Sequence, residues 1–320
     1  MKRVIAALCV VLLLLVACGE WYARHRTEVD EYVRRFISGE PLGGEEMNTP
    51  TPLPSPTPEE TPAPSPIPTV DADWYIERNR MLRLLLRKNG SFQNAEEIDA
   101  AIARMYIDPD KPMVALTFDD GPVAGVTDQI LDILERYHVR ATFFVVGARL
   151  KKPEAVALVK RAISLGCEIG NHTLDHATLP KLTVNELRYE IVRTNEFVYD
   201  NTGYTVRSLR PPGGAMSWEV TRIAKEQNMA IALWAQSGNV YEQDPEKIAE
   251  NVQKQIVNGK ELQNGDIILL HDTKERMVPA VELIVPQLLE KGYQLVTVWE
   301  LLNLSGKGFV VGETYRNQAD

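Results

Sequence analysis

The sequence predicts an α/β fold, a (β/α) barrel of about seven parallel strands, preceded by N-terminal helices and a proline-rich linker. Three observations carry this expectation. Short apolar runs at 114–118, 141–146, 168–171, 207–210, 230–234, 267–271 and 294–298 read as buried strands. Helical patterns near 126–137, 153–165, 183–201, 217–228, 245–258 and 275–290 alternate with them, which is the rhythm of parallel β/α units. Seven strands in about 190 residues suit a barrel slightly smaller than the eight-stranded one.

Before the barrel the chain changes character several times. Met1-Lys2-Arg3 is a short positive region, and an unbroken apolar run follows at 4–16. That run is shorter than the roughly 20 residues a spanning helix needs and has signal-peptide length. It ends in Leu15-Val16-Ala17-Cys18, which resembles the lipobox of bacterial lipoproteins, where the cysteine is lipidated and becomes the first residue. Residues 1–18 therefore read as a lipoprotein-type signal peptide. The expected location is outside the cell, anchored by lipid to the outer face of the cytoplasmic membrane and facing the cell wall.

Residues 19–45 read as an amphipathic stalk, with Tyr22, Val29, Tyr32, Val33, Phe36 and Ile37 roughly on one helical face. Residues 46–70 form a Pro/Thr-rich linker. Nine prolines stand between 50 and 68, a spacing that cannot bury a core and favours extended polyproline II. At 3.1 Å per residue such a spacer reaches roughly 60 Å. Residues 71–110 read as a helical extension, with Met81, Leu82, Leu84, Leu85 and Leu86 in one helix and Ile98, Ala101, Ile102 and Met105 in the next, broken at Asn89-Gly90. The barrel domain is placed at 111–305 and a loose tail at 306–320.

Composition narrows the partners. The 320 residues are 44% hydrophobic and 25% charged, with a net charge of −9. No basic field suits a nucleic acid, so no nucleic-acid partner is expected, and a neutral polymer stays open. Of Cys9, Cys18 and Cys167, only Cys167 lies in the folded part, so no intrachain disulfide framework forms there. Cys167 reads as a small buried hydrophobe.

The chemistry collects at strand ends. The run 114–118 stops in Asp119-Asp120-Gly121-Pro122, two adjacent carboxylates at the end of a buried strand. Such a strand end opens onto the functional face of a barrel. Asp-Asp-Gly is also ordinary turn chemistry. His172 and His176 follow the third strand, two of only five histidines in the chain, at the i, i+4 spacing of one face of a helical turn. Arg210-Pro211-Pro212-Gly213-Gly214 closes the fourth strand and reads either as a rigid turn or as amides presented to an oxyanion. His271 closes the sixth, equally suited to core or catalyst, and Trp234 at the end of the fifth is more often core than pocket. His25 and His138 read as incidental.

The combination is more informative than its parts. Asp120, His172 and His176 offer three ligands and leave a fourth position open, the pattern of a catalytic zinc site. Such an ion polarises a carbonyl and acidifies bound water. Asp119 can then take a proton and His271 can deliver one.

Thr-Phe-Asp-Asp-Gly-Pro, His-Thr-x-x-His, Arg-Pro-Pro-x-Gly and Leu-x-His, in this order on successive strand ends, resemble the polysaccharide deacetylases of carbohydrate esterase family 4. The run Ala141-Thr142-Phe143-Phe144-Val145-Val146-Gly147 is similar to the family's second strand. The resemblance covers about 111–302 and implies a distorted barrel of seven or eight strands. It implies Asp119 as base, His271 as acid, and Arg210 as the residue that orients or tunes the base. It also implies metal ligation by Asp120, His172 and His176, an oxyanion amide at Gly213, and an acetyl-methyl pocket lined by Trp234 and Leu269. The implied cofactor is a divalent metal ion, zinc first, with cobalt or manganese as alternatives.

Two departures from the family pattern stand out. Glycine occupies position 213, where the family often has tyrosine. Six residues after Trp234, where many members carry an aspartate that supports the catalytic histidine, the ungapped count reaches Val240; a one-residue shift offers Asn239. Ser237 stands where another family aspartate often does. With a neutral partner, His271 is expected to lose its proton at lower pH than in relatives with the aspartate, unless Asp244 or another carboxylate fills the role.

The resulting expectation is a metal-dependent hydrolase that removes N-acetyl groups from a cell-envelope polysaccharide, peptidoglycan amino sugars above all. The alternatives are an O-deacetylase on another polysaccharide and a catalytically weak glycan-binding protein of the same fold. The leader supplies a separate prediction: mature protein from the membrane fraction should begin at a lipid-modified Cys18. Mass spectrometry that found an intact Met1 or an unmodified Cys18 would refute it.

Overall fold

The computed structural model describes residues 72–89, 95, 98, 102, 105–238, 241–253, 261–304 and 308–318. All lie in one unit, Pro66–Asp320. The expectations for the signal peptide with Cys18, the stalk and the linker, and those for Gly90, Asn239 and Val240, fall outside the described residues.

β1 (Met113–Asp119) is buried at every position. Its sequence does not alternate, as a strand covered on both faces requires. β2 (Thr142–Val145), β3 (Glu168–Asn171), β4 (Ser208–Leu209), β5 (Ala230–Ala232), β6 (Gln236–Ser237), β7 (Ile267–His271), β8 (Gln294–Val296) and β9 (Thr314–Tyr315) complete the sheet. Its order is β6-β7-β1-β2-β3-β4-β5-β9, with β8 paired to β1, and every pairing is parallel. β1 uses both edges: Ala115–Asp119 against β7, Thr117–Asp119 against β2 and Met113–Ala115 against β8. The curled parallel sheet agrees with the barrel expected from sequence.

The helices are α1 (Ala72–Asn89), α2 (Thr127–Arg136), α3 (Pro153–Ser164), α4 (Val184–Thr202), α5 (Trp218–Glu226), α6 (Pro245–Gln253), α7 (Met277–Glu290) and α8 (Val298–Asn303). α4 begins where Thr183 and Glu186 satisfy each other's backbone N–H groups in a capping box, and ends at Gly203, whose φ of 71° is left-handed. Ile130, Leu131, Ile133 and Leu134 of α2 and Val281, Ile284, Val285 and Leu288 of α7 bury their apolar faces in the main core. Cys167 is buried there too, and burial pushes its thiol up to about 12. None of the helices among the described residues is long and apolar enough to cross a membrane.

Two expectations change. The run 294–298 is not one strand: β8 stops at Val296, and Thr297 caps α8 through a second capping box with Glu300. The Thr-x-x-Glu signature outweighs the β-branched residues around it. Nor is the C-terminal segment a loose tail. Thr314 and Tyr315 pair with β5. Just beyond them, the Arg316 carbonyl accepts from Ile267 N–H at 3.2 Å and the Gly265 carbonyl accepts from Gln318 N–H at 2.7 Å. The segment thus bridges the β5 edge and the start of β7.

The N-terminal extension is joined to the barrel by charge. Arg78 of α1 is 2% exposed. It donates to Glu300 Oε1 from Nε at 2.9 Å and also from Nη2, which donates to the Met105 carbonyl as well. Arg140 Nε donates to Glu300 Oε2 at 3.1 Å, the same oxygen that accepts from Thr297 N–H. Burial alone would raise the Glu300 carboxyl, but Arg140 and Arg78 hold it down at about 2.

The usual carboxyl value being 4.5, this group's contribution to stability is complete above pH 4.5 and is lost as pH falls through about 2. It amounts to about 3 kcal/mol. Glu300→Ala leaves two buried guanidinium groups without their shared partner and should cost about 3–5 kcal/mol at neutral pH in urea unfolding. Below pH 3 the difference from the unaltered protein should shrink.

Candidate active site

β1 brings Asp119 to the rim of the barrel and the chain turns immediately. Asp120 has a left-handed backbone, φ 74°, so adjacent carboxylates leave the strand in different directions. In register Asp119 lies beside Phe144 on one side and His271 on the other.

Arg210, just past β4, is fully buried. Its Nη1 donates to Asp119 Oδ1 at 2.8 Å and to Thr117 Oγ1 at 2.6 Å. Nε donates to the Ala232 carbonyl at 2.8 Å, and Nη2 to the Leu233 carbonyl at 2.9 Å. The guanidinium carbon lies 4.1 Å from the centre of the Phe144 ring, a cation–π contact. Burial lowers the Arg210 pKa against the pull of Asp119, but a guanidinium starts so high that it stays charged.

Asp120, His172 and His176 converge as expected: one donor atom from each lies within 4.8 Å of the others. Asp120 Oδ1 is 3.3 Å from His172 Nε2 and 3.1 Å from His176 Nε2. This oxygen is buried and has no hydrogen-bond partner. His172 Nδ1 lies 2.7 Å from the Arg210 carbonyl. A proton on Nδ1 satisfies that carbonyl and leaves the Nε2 lone pair facing Asp120, the outer partner that metal-bound imidazoles usually have. An orphaned carboxylate oxygen facing two imidazole nitrogens fits a divalent first-row ion.

The titrations reflect the crowding. Burial raises the Asp120 carboxyl, but the His172 contact and the charges of His172, His176 and His271 carry it below its usual value. Burial lowers the His172 imidazole, and Asp119 with Asp120 more than reverses that. For His271 burial prevails over Asp119 and Asp120, and the ring is held below its usual value.

The histidines do not share a helical turn, as their spacing suggests. They sit on an irregular loop in which Thr173 and His176 take left-handed backbones, φ 67° and 58°. Asp120, Thr173 and His176 are three of the five non-glycine residues with positive φ among the described residues, so backbone strain concentrates at this site. Thr173 N–H donates to Asn171 Oδ1 at 2.7 Å, and Asn171 Nδ2 donates to the Ile191 carbonyl and to Asn195 Oδ1. Glu190 of α4 accepts from Leu174 and Asp175 N–H.

The remaining expected residues surround this centre. Gly213 occupies a short turn with φ 62°, exposed, with space where a side chain would begin. Trp234 is half-buried, 5.8 Å from the Arg210 guanidinium, and its ring edge lies against Gly214. Leu269 is buried on β7 opposite Thr117. Ser237 is half-buried on β6. Asp244 is engaged elsewhere: its Oδ1 accepts from Glu246 N–H at the start of α6.

Sequence reasoning missed Thr117, Asp272 and Glu190. Thr117 stands inside an apolar run, and its hydroxyl donates to the Ile268 carbonyl at 2.6 Å while accepting from Arg210. A hydroxyl two residues before a catalytic-looking carboxylate on the same strand face was the available signal. Asp272 is 1% exposed; its Oδ2 accepts from Thr127 Oγ1 at 2.6 Å, and burial pushes its carboxyl up to about 7.

Residues 106–232 match the family model described as polysaccharide deacetylase. The chain is 37% identical over 195 residues to a peptidoglycan-N-acetylglucosamine deacetylase of Bacillus cereus, covering 59% of this chain and 88% of the relative. It is 34% identical over 208 residues to the peptidoglycan-N-acetylglucosamine deacetylase PgdA of Listeria monocytogenes, covering 65% of this chain but only 42% of that longer relative. Among solved structures, a family 4 acetyl xylan esterase from Clostridium thermocellum in complex with a cobalt ion superposes with a TM-score of 0.57 at 30% identity, covering 64% of this chain and 98% of the esterase.

The turn after Asp120 tolerates no side chain at position 121. A Cβ on Gly121 would lie 2.0 Å from Asp272 Oδ2, and Asp272 is too buried to move aside freely. Gly121→Ala should destabilise the protein by about 1–3 kcal/mol in urea unfolding. In an Asp272→Ala background the same substitution should cost much less, a coupling that a double-mutant cycle measures.

Proposed function

The chain belongs to the polysaccharide deacetylase family, and we propose that it is a metal-dependent hydrolase that removes N-acetyl groups from peptidoglycan amino sugars. The observation that carries this reading is the Asp120–His172–His176 cluster beside a carboxylate, Asp119, held by the buried Arg210. The similarity to peptidoglycan deacetylases supports the choice of substrate.

In this reading Asp120, His172 and His176 hold a divalent ion, zinc in preference to cobalt or manganese. The bound ion supplies Lewis-acid polarisation of the acetyl carbonyl and acidifies water. Asp119 accepts the proton of the attacking water. Arg210 holds that carboxylate in place, with Thr117 fixing the guanidinium from the other side. His271, brought level with Asp119 by the β1–β7 register, gives a proton to the leaving amine as the C–N bond breaks and acetate forms. The Gly213 amide donates to the oxyanion, and Trp234 and Leu269 surround the acetyl methyl. Burial holds the His271 ring below its usual value, so the ring carries its proton more readily at the acid side of neutrality.

The leader and linker complete the proposal. Lipid on Cys18 tethers the protein to the outer face of the cytoplasmic membrane, and the proline-rich spacer lets the barrel reach the wall polymer.

Purified protein should release acetate from peptidoglycan in preference to chitin oligomers or acetylated xylan. A chelator should abolish the release and zinc restore it. Asp119→Asn should keep its metal and lose about 10²–10⁴-fold in turnover, because a base is removed and not a ligand; His176→Ala should lose metal as well. Wild-type rates in Asp119→Asn would refute the assignment of the base, and preferential release from xylan would favour the O-deacetylase reading.

A further inference from the structure

The loop that carries both histidines follows a path its residues do not favour on their own. A left-handed backbone at a residue with a side chain costs roughly 1–2 kcal/mol. Thr173 and His176 both adopt it within four residues. Something must hold the loop, and its backbone hydrogen bonds show what does. On the carbonyl side, Gly147 N–H donates to Thr173 O at 3.0 Å and Ala148 N–H to Leu174 O at 2.9 Å. On the N–H side, Thr173 is taken by Asn171. The next two N–H groups, Leu174 at 2.9 Å and Asp175 at 3.0 Å, both donate to a single oxygen, Glu190 Oε2.

Glu190 is well placed for this. It is 8% exposed, on a helix that begins with a capping box, and its own carbonyl accepts from Thr194 Oγ1. The neighbouring turn of α4 is fixed to the end of β3 by Asn171, through Ile191 and Asn195. The carboxylate therefore reaches the loop from a rigid base. A charged acceptor gives stronger hydrogen bonds than a neutral one, and two converging N–H groups define a direction as well as a distance. His172 has its own support in the Arg210 carbonyl, whereas His176 is about half exposed and depends more on the path of the loop.

We propose that Glu190 is the positioning residue of the metal centre: by taking the Leu174 and Asp175 N–H groups on one oxygen it holds the loop in the path that aims His176 at Asp120, and so sets how tightly the ion is held. This inference rests on the reading of Asp120, His172 and His176 as ligands. Glu190 does not touch the ion or the substrate. Its effect belongs in metal affinity, where outer partners of ligands commonly contribute about 10–100-fold.

The test uses the full chain, with zinc alone as the probe, in competition with a chromophoric chelator. Glu190→Ala should weaken zinc binding about 10–100-fold. Glu190→Gln, which keeps an oxygen acceptor but not its charge, should fall between Glu190→Ala and the unaltered chain. The rise in melting temperature on adding zinc should shrink in the same order. A merely structural role would lower the melting temperature equally with and without zinc, leaving that rise unchanged, and would overturn the proposal. So would zinc affinity in Glu190→Ala equal to that of the unaltered chain. Should Glu190→Ala not fold, Glu190→Gln decides alone: weaker zinc binding supports the proposal and equal binding overturns it. His176→Ala separates the two readings. If it binds zinc like the unaltered chain, or if the unaltered chain binds none, the ligand assignment fails and this inference with it. If it binds weakly while the Glu190 variants bind normally, only the role of Glu190 fails.

Discussion

The ion pair between Arg210 and Asp119 is the constraint on which the site depends. Both groups are taken out of water, which is costly for any charge. The cost is offset because the guanidinium has partners in several directions at once: a carboxylate, a hydroxyl and two carbonyls. Those partners lie on β1 and around the end of β5, while Arg210 itself follows β4. One side chain thus ties together strands that are not neighbours in the sheet. Its own backbone carbonyl, meanwhile, fixes the ring of His172. The Asp119 carboxylate and the Asp120–His172–His176 cluster are therefore positioned by the same residue, one through its side chain and the other through its main chain.

The chemistry was legible where it lies in strand ends. The unbroken apolar run before Asp119 announces a strand buried on both faces, and a breaker after it announces the rim. The same logic located His271 and Arg210. What the spacing of His172 and His176 could not reveal is the backbone between them. An i, i+4 pair has the same sequence signature on a helix and on a loop bent by two left-handed residues. Only the surrounding hydrogen bonds choose between these, and they come from 147–148 and from α4, distant in sequence. Thr117 and Glu190 were missed for a related reason. A threonine in a strand and a glutamate in an amphipathic helix are ordinary there, and what makes these two unusual is the partner that tertiary structure brings.

The fold shows the same division. Most strands and helices were read from their patterns, but two of the shortest strands were missed. Gln236–Ser237 and Thr314–Tyr315 are two residues each. Neither is long enough to display a period, so pattern reading has nothing to detect. The Thr297–Glu300 capping box is the reverse case: the signature was present in the sequence and outranked by a run of β-branched residues. A local hydrogen-bonding motif that satisfies two backbone donors proved the stronger determinant.

The pairing of β9 with β5 bears on the order in which the barrel can form. β5 meets its outer neighbour only about eighty residues later in the chain, a long interval for an open parallel edge. Until residues 314–318 emerge, the edge of Ala230–Ala232 has unpaired backbone groups, and the start of β7 lacks the contacts to Arg316 and Gln318. Pairing along that edge of the sheet therefore waits for the C-terminal segment, so the sheet is completed by the last strand of the chain and not by its neighbours in sequence.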